Sequence, residues 1–427
     1  MQRIESTPVT AKIDAGICFF MCVLLFWLPY SGAVIETCVV ISTVLWLVKR
    51  IILIQCNSLL PFSQKAKIFK PQSSALNLPI ALFFVACLLS VPQGMLMKQS
   101  LIGVFGKTLR WFLIYFLMIE VFKSRKQIFA ALGILFFTSF STAIDGIIQY
   151  YITGKDFFLG RDISTTVHRA TAGFNTPNDL AAYLSVVVLL GVSVFLSRMK
   201  GLWRILWIIP SGILVWAMFV TFSRGAWMGV FWGMLFVGAI YFWLKKNLKK
   251  YVVYFIPLLL LIPLIIKGPE LFKKMVNPEM AVRGSVDWRL DVWKDSLAMF
   301  KEKPVLGHGV NTFMRTYEEY KKSHTIALLN WYPTYAHNCY LQILVETGIV
   351  GLILFLWVLA SLFNSSLDRI KNQYAQRSFF CPLSIGLLAG IFAFLFHSFL
   401  DTQFYSLQLS SHLWASIGLL VAMTHQS

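Results

Sequence analysis

The sequence predicts an all-α, polytopic membrane protein of about twelve transmembrane helices. Of its 427 residues, 57% are hydrophobic and only 13% are charged. Soluble domains carry about 25% charged residues, so the composition argues against an ordinary soluble domain. The hydrophobic residues are gathered in segments of about 20, the length that an α-helix needs to cross a bilayer.

The apolar segments fall into two groups along the chain. Roughly nine lie within residues 1–266 and three within residues 337–427, and a polar segment, 267–336, separates them. The first segment lacks a small-residue cleavage site, so we expect it to be retained as a helix. The approximate centres of the predicted helices are Phe20, Val40, Phe84, Phe112, Phe136, Val187, Leu214, Trp232, Leu258, Phe355, Phe392 and Ile417.

The basic residues set the predicted orientation. The net charge of +19 comes from short runs between apolar segments, not from one basic face, which argues against nucleic-acid binding. Such runs follow every even-numbered helix that is not the last, so these loops and both termini are predicted to be cytoplasmic. The odd-numbered connections then face outward, into the periplasm of a Gram-negative cell. The runs are Lys49 to Lys70, Lys123 to Lys126, Arg198 to Arg204, Lys245 to Lys250, and Arg369 to Arg377.

The connection between predicted helices 9 and 10, Lys267 to Ala336, is long for a compact protein, which usually indicates function or disorder. Its aromatic anchors argue against disorder. We predict a large, partly helical periplasmic loop with a helix from about Val286 to Lys301, ended by Pro304 and Gly307. The apolar residues at helical spacing are Leu290, Trp293, Leu297 and Phe300.

Three even-numbered helices begin at the predicted outer face with polar residues. Asn178 lies in the first turn of helix 6, Arg224 begins helix 8, and His337 and Asn338 begin helix 10. Helix N-termini expose N–H groups and carry partial positive charge, so they favour anions such as phosphate. A cation there is disfavoured, and Arg224 therefore predicts a neighbouring anion. The predicted capping residues are Thr176 followed by Pro177, and Ser223.

His337 is the strongest candidate for chemistry, because a titratable group at a membrane boundary is costly unless it is used. Arg169, Arg161 and Arg289 could bind a phosphate through their planar guanidinium groups. Simpler explanations remain for these residues. Arg169 and Arg161 could be solvated loop charges, and Arg289 could form a salt bridge with a nearby aspartate. His337 could be an ordinary interfacial histidine. The roles of four further residues stay open, namely Asp145, Glu346, His397 and Asp401.

Four segments resemble the O-antigen ligase and polymerase superfamily of bacterial membrane glycosyltransferases. They are RATAGFNTPN (169–178), FSRGAW (222–227), RLDVW with PVLGHG (within 289–309), and HNCYLQILVETG (337–348). Their order and the long outer loop also match. The resemblance covers roughly residues 140 to 405, and the first 140 residues resemble the family only in hydropathy.

The resemblance implies glycan transfer from undecaprenyl diphosphate at the periplasmic face of the bacterial inner membrane. It implies that Arg224 and Arg289 hold the diphosphate leaving group, while His337 activates or orients the acceptor hydroxyl. It implies no cofactor, and the outer motifs contain no acidic pair at metal-ligand spacing, so we predict no catalytic metal. The remaining predicted substrate-binding residues are Arg169, Arg161, Asn338 and Asn178.

The number of predicted helices favours an O-antigen ligase, which transfers polysaccharide to a sugar of the lipid A core. O-antigen polymerases, whose acceptor is another lipid-linked repeat unit, often have more helices. A protein O-oligosaccharyltransferase is usually longer than this chain. A lipid-linked glycan transporter is a further alternative, but transport sites lie near the bilayer midplane, whereas these polar residues lie at one face.

Overall fold

The computed structural model describes residues 7–58, 61–94, 96–163, 168–195, 202–245, 287–320 and 334–425. Within these ranges the ordered elements are helices, apart from one isolated antiparallel bridge between Lys155 and Asp162. Nine helical stretches in the described ranges are long and apolar enough to cross a membrane, and two shorter apolar helices accompany them. The predicted all-α polytopic membrane fold is confirmed.

Each predicted transmembrane segment falls on one of these helices except the ninth. That segment, centred on Leu258, lies outside the described residues, as do residues 267–286 and 321–333 of the predicted outer loop. Residues 97–121 form one continuous helical stretch, in which a π-helical segment, Val104–Thr108, joins two α-helices. The helices are α1 (Pro8–Trp27), α2 (Gly32–Cys56), α3 (Phe62–Ile68), α4 (Asn77–Ser90), α5 (Met97–Gly103), α6 (Leu109–Val121), α7 (Arg125–Ile148), α8 (Pro177–Phe195), α9 (Leu202–Val220), α10 (Arg224–Lys245), α11 (Asp287–Glu302), α12 (Phe313–Tyr320), α13 (Cys339–Ala375), α14 (Phe380–His397) and α15 (Leu407–Thr424).

Helix α14 packs closely against α8 and α10. Its glycines allow this approach: a side chain at Gly390 would overlap the backbone of Val186, and one at Gly386 would overlap Ser193. Apolar burial drives little helix association inside a bilayer, so small residues that permit close backbone contact are the usual packing device. The three helices therefore hold their ends, where the polar residues lie, in a fixed relation.

A buried ion network ties α1, α2 and α6 together at the opposite end of the bundle. The Lys49 ammonium lies 2.6 Å from Asp14 and 2.8 Å from Glu120, and Arg50 donates to the other oxygen of Glu120 at 2.9 Å. These groups are mutually neutralised, as buried charges must be. They belong to the end that the charge pattern predicts to be cytoplasmic.

Helices α11 and α12 form a second, smaller apolar core beside the membrane bundle. The helix predicted at 286–301 is confirmed, since α11 spans Asp287–Glu302. The Tyr317 hydroxyl on α12 donates to Asp295 on α11 at 2.7 Å, which joins the two helices. The core residues are Trp288, Val292, Met299, Phe313, Tyr317, Ala336 and Val345.

This small core is attached to the bundle where α13 is interrupted. Gly348 has φ +66°, so the helix breaks there. The segment 304–309 pairs with 345–350 through four backbone hydrogen bonds: His308 N to Val345 O (3.0 Å), Gly309 N to Glu346 O (2.9 Å), Ile349 N to Pro304 O (2.8 Å) and Val350 N to Val305 O (3.4 Å). Two motifs that are distant in sequence therefore form one joint.

We expect Gly348→Ala to destabilise the protein. A β-carbon there would overlap the Val305 carbonyl, and the positive φ disfavours any L side chain. Strain and overlap together should cost about 2–4 kcal/mol in the free energy of unfolding, seen as a lower thermal midpoint in detergent. Gly133→Ala in α7, where an added β-carbon meets nothing within 4 Å, is the control. Equal midpoints for the two variants would contradict this account of the joint.

Candidate active site

The polar site lies at one end of the bundle, where the starts of α8, α10 and α13 meet the turn after α14. Backbone contacts fix this arrangement: Ala170 N donates to Val220 O at 3.2 Å, and Cys339 N donates to Ser398 O at 2.9 Å. The predicted cap of α8 is confirmed, because the Thr176 hydroxyl accepts from Asp179 N at 3.1 Å. Helix α11 covers the site from the second core.

Asp401, in the turn after α14, is the centre of the site. One carboxylate oxygen lies 3.1 Å from His337 Nδ1, and the other accepts from the Asn178 amide at 2.6 Å and lies 3.8 Å from the Arg289 guanidinium. Burial opposes ionisation of this carboxyl. The hydrogen bond with His337 and the charge of Arg289 outweigh burial and hold the pKa of Asp401 below its ordinary value. Asp401 is therefore ionised throughout the neutral pH range.

His337 adopts an unusual backbone conformation, with φ +48°. Its ring meets the Trp288 ring edge-on, with centroids 4.7 Å apart, and its side chain is 22% exposed. Because an ionised carboxylate faces Nδ1, this nitrogen carries the proton and Nε2 is left as the basic nitrogen. The following residue, Asn338, caps α13 by accepting from Tyr340 N and Leu341 N, each at 3.0 Å.

Arg169 lies behind Asn178 and connects two helix ends. Its Nε donates to Thr221 O at 2.5 Å, and its Nη2 donates to the Asn178 side chain at 2.8 Å. Burial lowers the pKa of Arg169 to about 10; the charge of Asp401 opposes this shift, and the charges of Arg224 and Arg289 add to it. The three arginines therefore influence one another around Asp401.

Arg224 is the first residue of α10 and is exposed at the site. The turn before it has a left-handed residue, Phe222, with φ +49°. The next residue, Gly225, lies against His397: a β-carbon at position 225 would come within 2.6 Å of the imidazole Cδ2. Only glycine allows His397 to approach the start of α10 so closely, which is a physical reason for the Ser-Arg-Gly sequence.

Arg161 lies in a neighbouring cluster, away from these contacts of Asp401. Its guanidinium donates to Gly173 O at 3.2 Å and to the Asn175 side chain at 3.0 Å. Its backbone N–H donates to Asp156 at 2.8 Å, and its carbonyl accepts from Gln149 at 3.3 Å. Arg161 thus orders the loop that leads to α8, and its predicted substrate contact stays a prediction.

The residues left open by sequence now have contacts. Asp145 accepts from Phe157 N at 2.7 Å, and Glu346 accepts from the Gln342 amide at 3.1 Å. The central role of Asp401 was not predicted; the sequence indicated only that it lies four residues after His397, at the end of an apolar helix. The contribution of Trp288 was also missed, because a tryptophan on an amphipathic helix usually indicates packing.

These residues define a polytopic membrane protein with a cluster of arginines and a carboxylate-paired histidine at one end of its bundle. Residues 209–356 match the family model described as O-antigen ligase. Three of the four sequence motifs lie wholly inside that range. The predicted resemblance to the O-antigen ligase and polymerase superfamily is thereby confirmed.

Several curated proteins are about a quarter identical to parts of this chain. The ComP-specific O-oligosaccharyltransferase of Acinetobacter baylyi is 26% identical over 245 residues, covering 55% of this chain and 41% of that protein. The O-antigen polymerase of Salmonella muenchen is 27% identical over 219 residues, covering 49% of this chain and 50% of that protein. An uncharacterized protein of Haemophilus influenzae is 25% identical over 192 residues, 42% of this chain and 47% of that protein. The chain thus spans half or less of the length of these relatives.

We expect Asp401→Asn to lower stability, because it removes the charge that balances the surrounding arginines. Removing one member of a buried ion pair costs about 3 kcal/mol or more. The lowered pKa means that the carboxylate stabilises the fold above about pH 4 and that this contribution is lost only as the pH falls below that value. The loss in thermal midpoint should therefore persist from pH 6 to pH 9, a range in which the Asp401 carboxylate stays ionised.

Asp162→Asn is the matched control for this substitution. Asp162 pairs with Lys155 at 3.5 Å, but its side chain is 66% exposed. Exposed pairs contribute at most about 1 kcal/mol. If Asp401→Asn and Asp162→Asn gave the same thermal midpoint, Asp401 would not be the balancing charge of the site.

Proposed function

We propose that this protein is an O-antigen ligase that transfers polysaccharide from undecaprenyl diphosphate to a sugar of the lipid A core at the periplasmic face of the inner membrane. The observation that carries the proposal is the His337–Asp401 pair, bordered by three arginines at one end of a membrane bundle. The arginines supply binding sites for an anionic leaving group, and the histidine supplies a base.

The leaving group of this reaction is a diphosphate, whose charge grows on the departing oxygen in the transition state. Arg224 and Arg289 offer planar guanidinium groups that bind phosphate oxygens in pairs. The Arg289 side chain is 27% exposed and lies 3.8 Å from Asp401, so its guanidinium can still donate to a ligand. Fixed donors of this kind stabilise developing charge without reorganisation.

The acceptor is a sugar hydroxyl, which is a weak nucleophile until its proton is removed. In the proposed step the hydroxyl oxygen attacks the anomeric carbon, the bond from that carbon to the diphosphate breaks, and the proton passes to His337 Nε2. Asp401 at Nδ1 holds the ring and stabilises its protonated form. A single displacement inverts the anomeric centre.

Two related reactions use the same chemistry with another acceptor. The O-antigen polymerase of Salmonella muenchen and the O-oligosaccharyltransferase of Acinetobacter baylyi resemble this chain to a similar degree. A polymerase would extend a lipid-linked repeat, and an oligosaccharyltransferase would modify a protein hydroxyl. All three reactions would use the same base and the same leaving-group site, so the acceptor distinguishes them.

A deletion strain distinguishes these reactions by its surface lipopolysaccharide. Loss of a ligase should leave bare lipid A core while long undecaprenyl-linked polymer accumulates. Complementation with His337→Ala should fail although the variant reaches the membrane, because the base is missing. Core capped with one repeat would indicate a polymerase, and an unchanged ladder with loss of protein glycosylation would indicate an oligosaccharyltransferase. A full ladder with normally expressed His337→Ala would contradict the assigned role of this histidine.

Arg224→Lys and Arg289→Lys should both be poor enzymes, although lysine keeps the charge. Losing one paired contact to the leaving group costs about 2–4 kcal/mol in the transition state, or roughly 30- to 1,000-fold in rate. The assay uses purified protein, lipid-linked glycan and rough lipopolysaccharide, with and without a chelator to test metal dependence.

Arg315→Lys, on the exposed side of α12, is the control and should keep the wild-type rate. Near-normal rates for Arg224→Lys and Arg289→Lys would remove both residues from the diphosphate site. Arg169 would then be the next candidate, because it is already linked to Asp401 through Asn178.

A further inference from the structure

The backbone of Ala336, the residue before His337, is held by hydrogen bonds at both its N–H and its carbonyl. The Ala336 N–H donates to the Gln342 side-chain oxygen at 2.9 Å, and the Ala336 carbonyl accepts from the indole N–H of Trp293 at 3.0 Å. Ala336 is fully buried, so no water competes for these bonds. The next residue is His337, whose left-handed backbone requires outside support.

Trp293 belongs to the same helix as the predicted diphosphate ligand. It lies about one helical turn after Arg289 on α11, so the two side chains share a face. Trp288 of the same helix touches the His337 ring. Helix α11 therefore contacts the leaving-group site and fixes the backbone of the histidine at the same time.

The Gln342 side chain is held by contacts with residues of the membrane bundle. Its amide donates to Glu346 at 3.1 Å, and Glu346 interacts in turn with the backbone N–H groups of Asn311 and Phe313 and with the charge of Lys107. Lys107 also donates to the Asn311 side chain at 2.6 Å. A continuous series of polar contacts thus runs from Lys107, in the helical stretch 97–121, through Glu346 and Gln342 to the backbone N–H of Ala336.

We propose that Trp293 and Gln342 are positioning residues, which hold the backbone of Ala336 so that His337 stays in register with Asp401 and with Arg289. This inference rests on the proposed function, because it assigns the purpose of the clamp to the histidine base. Without the two hydrogen bonds, the left-handed conformation of His337 would relax and its ring would leave Asp401. Small misplacements of a catalytic group cost up to about 100-fold in rate.

The test uses Trp293→Phe and Gln342→Leu, which keep most of the side-chain volume and remove the hydrogen bonds. We expect each to lower kcat about 10- to 100-fold and to change KM for the lipid-linked donor by less than about threefold, since the arginines are untouched. Because both bonds hold the backbone of one residue, Ala336, the double variant should be within about threefold of the slower single variant.

Trp111→Phe is the matched control. Its indole nitrogen is buried without a hydrogen-bond partner within the described residues, so the same substitution there removes no bond, and kcat should stay unchanged. Thermal midpoints of all variants are measured in parallel. If Gln342→Leu does not assemble, Trp293→Phe alone decides the outcome.

Three results would overturn the inference: a normal kcat in the single variants, a loss that appears in KM instead of kcat, or losses that multiply in the double variant. Failure of the proposed function is a separate result. In that case wild type and His337→Ala would transfer glycan equally, or neither would transfer it. A His337-dependent reaction that tolerates Trp293→Phe and Gln342→Leu would refute the clamp alone.

Discussion

The arrangement of the site depends on the carboxylate of Asp401. It receives a hydrogen bond from α8 through Asn178, faces α11 through Arg289, and binds the histidine that precedes α13. Without a negative charge at this point, the arginines and the positive helix ends would repel one another at short range. One buried acid therefore allows several cations to gather where an anionic substrate can reach them, because two of the arginines and the histidine remain partly exposed.

The membrane bundle and the small core of α11 and α12 each supply part of this site. The bundle provides Asp401, Asn178 and Arg224, while the small core of α11 and α12 provides Arg289 and the aromatic wall beside His337. The joint at Gly348 brings the halves together through backbone hydrogen bonds, which do not depend on side-chain identity except where glycine is required. A rigid joint suits a reaction in which the leaving group and the acceptor must be aligned.

Sequence patterns predicted the helices well, because hydrophobic length in a membrane leaves few alternatives. They also predicted α11 and the cap of α8, whose signals are local. The break in α13 could not be predicted from Gly348 alone, since glycine occurs often in membrane helices and only the distant segment 304–309 gives it a partner. Asp401 was likewise recognised only as a residue near His397, because its contacts come from elements far away in sequence. Arg161 makes its contacts within its own loop, which the sequence did not indicate.

The joint between residues 304–309 and 345–350 also bears on how such proteins can diverge. Each segment supplies backbone shape to the other, so neither can change length without disturbing both. A chimera that replaces the segment 304–309 should therefore also replace its partner, 345–350, because the two segments form one structural unit although they are separated in the sequence.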